Sequence, residues 1–187
     1  MGFSGNNDRE VAYQHIQNLK EGVLLVRLNK QDAVLTKMKF HGLDKEHRKK
    51  EDELRVKNKE AYEALSRIYD FSEIHFFYSN SSKMIREGNY SGVFLGPKLI
   101  VDTAIKMTEN VPVYILDVGD IYFPEMSGHQ EGVIVLNNQF EPLTDPYPYF
   151  VRRRTGLAIL ERTDSDIAKI LNNKLKSFYN QSLEYVP

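Results

Sequence analysis

The stretch Gly22-Val23-Leu24-Leu25-Val26-Arg27-Leu28 is apolar at every position except its glycine and arginine. A strand with one wet face alternates apolar and polar residues. A run this continuous suits a strand covered on both faces, the environment of a sheet with layers above and below it. The run Ile74-His75-Phe76-Phe77-Tyr78 is of the same kind and ends abruptly in Ser79-Asn80-Ser81-Ser82-Lys83. Between the two lie helical stretches, so the chain reads as strand, helix, strand.

The remaining segments extend that alternation. Residues 1–10 read as disordered, and residues 11–20 as a short helix with Val11, Ile16 and Leu19 as its apolar positions. Asn29 or Asp32 can cap a helix running toward Phe40. A long charged helix spans 44–69. Its first ten residues, 44–53, contain no apolar side chain and are expected to stand in water. Leu54, Ala61, Leu65 and Ile68 then share one face and are expected to dock on the sheet. Ser91-Gly92-Val93-Phe94-Leu95 reads as a short strand. Residues 99–107 are ambiguous between a helical turn and the return arm of a hairpin with 93–95. Residues 111–118 read as a strand, 121–132 as a loop, and 132–136 with 139–143 as a hairpin turned at Asn137-Asn138. A last edge strand covers 149–152. The C-terminal helix begins at Thr163, with Asp166 at the box position, and buries Ile167, Ile170, Leu171, Leu175 and Phe178.

Strands separated by helices, followed by hairpin elements, indicate one α/β domain over residues 1–187. The expected architecture is a three-layer sandwich with a mixed sheet of about five to six strands, thioredoxin-like or flavodoxin-like. At 187 residues and 41% apolar content the chain can bury a sizeable core. The absence of cysteine excludes disulfides, thiol nucleophiles and thiolate metal sites. Basic and acidic residues number 25 and 26, so no global charge excess points to nucleic acid or to an anionic membrane. Only a local cluster can carry such a claim. The longest apolar runs are far short of the about 20 residues needed to span a bilayer. The polar residues 1–10 do not resemble a signal peptide.

Ligands of open α/β sheets gather beyond the carboxyl ends of parallel strands. Three segments are expected there: residues 29–32, residues 79–83 and residues 117–120. Ser79, Ser81, Ser82 and Lys83 combine hydroxyls, helix-start N–H groups and an ammonium, which suits a phosphate or carboxylate. They lack the glycines of a P-loop or a dinucleotide fingerprint, and capping alone accounts for them equally well. Asp117 and Asp120, with His129 downstream, are candidates for acid–base or metal chemistry, although their spacing matches no chelating motif. Tyr147 and Tyr149 with Arg152, Arg153 and Arg154 form the densest basic–aromatic cluster. Arginine forks and aromatic faces hold anions or flat ligands. Strand alternation puts Arg153 on the face opposite Arg152 and Arg154. No motif implies a cofactor.

Leu19-Lys20-Glu21-Gly22-Val23-Leu24-Leu25-Val26-Arg27-Leu28, His75-Phe76-Phe77-Tyr78-Ser79-Asn80-Ser81-Ser82, Tyr90-Ser91-Gly92-Val93-Phe94-Leu95 and Asp145-Pro146-Tyr147-Pro148-Tyr149-Phe150-Val151-Arg152 stand in this order with the charged helix between the first two. Together they resemble an uncharacterised family of exported bacterial proteins, over residues 19–179. The resemblance implies a periplasmic or envelope location and no particular activity. The leading expectation is a non-catalytic protein that binds an unidentified protein or a small anionic ligand, with 147–154 and 44–53 as contact surfaces. The alternative is an enzyme acting on a small phosphorylated or carboxylated substrate.

Overall fold

The structure, a computed structural model, describes residues 4–123, 128–154 and 161–185. Five helices, α1 (Ser4–Glu21), α2 (Asp32–Phe40), α3 (Asp44–Ile68), α4 (Ser82–Arg86) and α5 (Asp164–Glu184), accompany five strands. The strands are β1 (Val23–Leu28), β2 (Glu73–Tyr78), β3 (Val113–Phe123), β4 (Gly128–Leu136) and β5 (Phe150–Arg152). They form one mixed sheet in the order β2-β1-β3-β4-β5. β1 is parallel to both β2 and β3, whereas β4 is antiparallel to β3 and to β5.

The apolar run of β1 sits at the centre of the sheet. Leu24, Val26 and Leu28 face a large core shared with Ile16 and Leu19 of α1, Ala61 and Leu65 of α3, and Leu171 and Leu175 of α5. Val23 and Leu25 face a smaller core with Phe77, Ile85, Phe94, Ile115 and Ile134. Three helices therefore cover one face. The other is covered by the short α4 and the irregular segment that follows it. That segment also extends the sheet beyond β2, through a Phe77–Phe94 bridge and a hydrogen bond from Leu95 N to Phe76 O of 2.9 Å. Of the two readings of 99–107, the hairpin return is the one present, as a Leu95–Val101 bridge.

Several expectations are corrected. Residues 4–10, expected to be disordered, are the first turns of α1. The expected loop 121–132 is largely strand, because β3 runs to Phe123 and β4 starts at Gly128. Cross-strand pairs such as Asp120–Glu131 and Ile121–Gln130 satisfy the backbone there without the apolar alternation that betrays a strand in sequence. Residues 139–143 make only a turn at Asn137 and one bridge, Leu136–Pro142. The strand partners of β4 are the long β3 on one side and the three-residue β5 on the other. Finally, residues 44–53 do not stand wholly in water, since His47 is 6% exposed. α2 folds back along α3, and its inward positions Leu35 and Met38 are half-buried.

The C-terminal helix starts as expected. Thr163 Oγ1 accepts from Asp166 N at 3.2 Å, and the Asp166 carboxylate accepts from Thr163 N at 3.0 Å.

Candidate functional site

Winding reverses between β1 and β3. From β1 the chain passes through α2 and α3 to β2 on one side, and from β2 it returns across β1 to β3 on the other. Two of the three segments that the sequence singles out, 29–32 and 79–83, lie beyond the carboxyl ends of β1 and β2, whereas 117–120, expected there too, lies inside β3 alongside the end of β1.

On the α4 face, Arg27 ties two of them together. Its Nε donates to Ser82 Oγ at 2.9 Å, and its Nη1 donates to Asp117 Oδ2 at 2.9 Å. Ser82 Oγ in turn donates to Ser79 O at 2.6 Å. The serine turn and Asp117 thus lie on the same face of the sheet. Burial pushes the Asp117 carboxyl above its usual range, against the pull of Arg27. The hydroxyl proton of Ser82 is held by a carbonyl, which gives it no general base and describes a structural link. Ser79 Oγ accepts from Lys30 N at 3.1 Å, and Asn80 Nδ2 donates to Asp32 Oδ2 at 3.0 Å. These two residues hold the loop after β1. Lys83 extends into solvent, 3.9 Å from Glu87.

Strand alternation separates the proposed acid–base set. Asp117 meets Arg27 on the α4 face, whereas Asp120 lines a small hollow of ≈120 Å³ with Lys50, Lys57 and Glu131 on the α3 face. His129 pairs across the ribbon with Tyr122, two residues along from the Asp120–Glu131 pair and on that same face, opposite to Asp117. Among the described residues no group of three or more His, Asp or Glu side chains is placed to hold a metal ion.

The basic–aromatic cluster divides as well. Tyr147 is 1% exposed and packs edge-on to Phe178, so it belongs to the core and not to a contact surface. Tyr149 is half-buried and touches both cores. Arg153 turns inward to the Asp164 carboxylate, and its Nη1 donates to Arg162 O at 3.1 Å. Its Nε lies 3.4 Å from Glu131 Oε1, close enough for ion pairing but off hydrogen-bond alignment. Glu131 also receives Lys57 Nζ at 3.2 Å. Arg153 is therefore a bolt between β4 and the start of α5. Arg152 and Arg154 stay exposed, with the Arg152 guanidinium 5.9 Å from the Phe150 ring centroid.

At the carboxyl edge a cleft of ≈590 Å³ opens between the α2–α3 hairpin, the end of β2 and the 97–99 turn. Leu35, Leu54, Tyr78 and Leu99 give it an apolar wall. Lys30, Arg55, Lys59 and Lys98 surround it, against two carboxylates, Asp32 and Glu51. Its frame is hydrogen-bonded. Asn58, 9% exposed, donates Nδ2 to Asn29 O at 2.9 Å, and the Tyr78 hydroxyl donates to Leu99 O at 3.1 Å. Lys30 Nζ lies 5.3 Å from the Tyr78 ring centroid, a cation–π arrangement. Arg55 and Lys59 make exposed pairs within α3, to Asp52 at 3.0 Å and to Glu63 at 3.7 Å. Such pairs are worth only tenths of a kcal/mol and yield readily to a ligand.

A second open hollow of ≈510 Å³, between α3 and the start of α5, mixes Glu60, Glu63, Glu161 and Asp164 with Arg67, Arg153 and Arg162, and its charges nearly cancel. The cleft differs in keeping a cationic excess beside an apolar wall. Of its lining, residues 29–32 belong to a segment expected at a site, and Glu51 to the expected contact surface 44–53. The others come from α2, α3, the last residue of β2 and the 97–99 turn, and no local motif joins them.

Comparison of the chain with models of known protein families, with curated proteins and with solved structures finds no match.

Proposed function

We propose that this protein binds a small amphiphilic anion, a carboxylate or phosphate ester with an apolar body, in the cleft beyond the carboxyl ends of β1 and β2. The observation that carries this reading is one cleft of ≈590 Å³ with four cationic side chains, two carboxylates and a wall of Leu35, Leu54, Tyr78 and Leu99. Its volume lies within the range of small-molecule sites, about 300–1,000 Å³. Arg55 and Lys98 engage the anionic head, and the leucines and the tyrosine face take the apolar part. The reading is a binding function without chemistry, because Ser82 and Asp117, two of the groups the sequence offers for chemistry, are both engaged by Arg27.

Decanoate, decyl phosphate and inorganic phosphate separate the contributions of head and tail. Either amphiphile at about 100 times its Kd is expected to stabilise the fold by about 2.7 kcal/mol, which raises Tm by roughly 5–11 °C for a chain of this size. Inorganic phosphate is expected to bind much more weakly. The pair Arg55→Glu and Lys98→Glu should abolish calorimetric binding while leaving the unliganded Tm in place. Absence of stabilisation by both amphiphiles, or unchanged affinity in the double variant, refutes the assignment.

A further inference from the structure

The α2–α3 hairpin carries a second feature, at its far end from the sheet. α3 is 25 residues long, about 37 Å at 1.5 Å per residue. Its contact with the large core begins only at Ala61, and the hollow it shares with β3 and β4 begins at Lys50, so its first turns, 44–49, project past the strands. α2 lies along this projection and contains no buried residue. On a helical wheel Leu35 and Met38 point toward α3, while Ala33, Thr36, Lys37 and Phe40 point away from it. The turn between the helices follows Phe40 directly, so this face ends at the tip of the hairpin.

Phe40 is 85% exposed, and Val34 and Leu43 are each 43% exposed. Large apolar side chains scattered singly on a surface are ordinary. These three lie on one short element and its turn, and cations surround them. Lys37, Lys39, Lys45, Arg48 and Lys49 are all exposed. Residues 36–49 hold five basic and two acidic side chains, a local excess of three in a chain of net charge −1. The remainder of the protein is therefore net acidic, and the positive charge is concentrated around the exposed phenylalanine.

We propose that the tip of the α2–α3 hairpin docks on an anionic lipid surface, with Phe40 entering the headgroup–acyl boundary and the lysines resting on the headgroup charges. Charge complementarity selects the occupant. An exposed aromatic residue at the apex of a short helix, ringed by lysines, combines the two contributions that hold a peripheral segment on an anionic bilayer, apolar insertion and attraction to headgroup charge. The tip is convex and only two turns long. A stable protein–protein contact takes about 800 Å² and about 20–30 residues from each partner, more than the twelve residues from Asp32 to Leu43 supply, whereas a bilayer deforms around a small projection. The proposal does not depend on the cleft, whose lining residues are left intact in the variants below.

Sedimentation with lipid vesicles tests it. The full chain is expected to pellet with vesicles containing about one-third phosphatidylglycerol and to stay in solution with pure phosphatidylcholine. Raising salt from about 0.05 M to 0.5 M, which shortens the screening length, is expected to release it. Replacing Lys37 and Lys39 by glutamine should weaken partitioning by about fivefold per lysine, and Phe40→Ser should weaken it at low salt, where the charges are unchanged. All the substituted side chains are exposed, so unchanged circular dichroism and Tm certify the fold. Failure to pellet with anionic vesicles at low salt overturns the proposal, as does equal pelleting by the Phe40→Ser protein. Retention on an acidic peptide resin without vesicle binding overturns it in favour of an acidic protein partner.

Discussion

Gly132→Ala is the most exacting single test of the sheet's far edge. Gly132 lies in β4 opposite Arg152 of β5. A methyl group built there would stand 2.3 Å from Val151 O, 3.1 Å from a Phe150 ring carbon and 3.2 Å from the Arg152 Cα. The first contact is backbone, so no side-chain rotation relieves it and β5 must move outward by about 1 Å. β5 is only three residues long, and its neighbours depend on its position. Val151 is 1% exposed, Val135 N donates to Tyr149 O at 2.7 Å, and Arg153 N donates to Glu131 O at 2.8 Å. Overpacking of this kind costs about 1–3 kcal/mol, and one weakened ladder bond adds about 1 kcal/mol. The expected destabilisation is about 2–4 kcal/mol, or roughly 5–15 °C in Tm. Urea unfolding followed by circular dichroism measures it. Gly42→Ala is the control, because Gly42 has φ +69° and a methyl group added to it would meet nothing within 4 Å. Its cost is the left-handed backbone strain of a residue with a side chain, about 1 kcal/mol. If Gly132→Ala costs no more than Gly42→Ala, the close approach of β5 to β4 is wrong.

Two further outcomes follow from the same geometry. Burial pushes the Glu73 carboxyl up, but hydrogen bonds from Thr108 and His75 outweigh it and leave the group below its usual range; its stabilising contribution is therefore present above the unfolded-chain value of about 4.3 and is lost as pH falls through the lower folded value. Glu73→Gln should thus lower stability near neutrality and differ progressively less from the parent on acidification, and a difference in unfolding free energy that grows toward about pH 3 contradicts the assignment. Thr163→Ala removes the Oγ1 acceptor of the α5 capping box and is expected to cost about 1 kcal/mol, read as a shift of urea midpoint at constant slope.

Much of the architecture is legible in local sequence because its cause is local. The apolar runs of β1 and β2 demand cover on both faces, and the structure covers both. The change of pattern after Leu54 marks where α3 reaches the sheet, and the Thr163–Asp166 pair marks the start of α5. The outer halves of β3 and β4 escape such a reading because their stability comes from pairing with each other. Nothing in 121–132 alternates, yet a nine-pair ladder joins the two strands. His47 escapes for a similar reason: its burial is created by α2 folding back along α3 and not by its own neighbours in sequence.

The α/β class, the single cysteine-free domain and the long charged helix are determined by the sequence alone, since hydrophobic periodicity and capping act over a few residues. Strand order, the opposite faces of Asp117 and Asp120, the inward turn of Arg153 and the burial of Tyr147 are decided only by tertiary structure. The cleft belongs with them. Lys30, Arg55, Tyr78 and Lys98 are brought together by strand order and helix docking, interactions between residues too far apart in the chain for any local pattern to record.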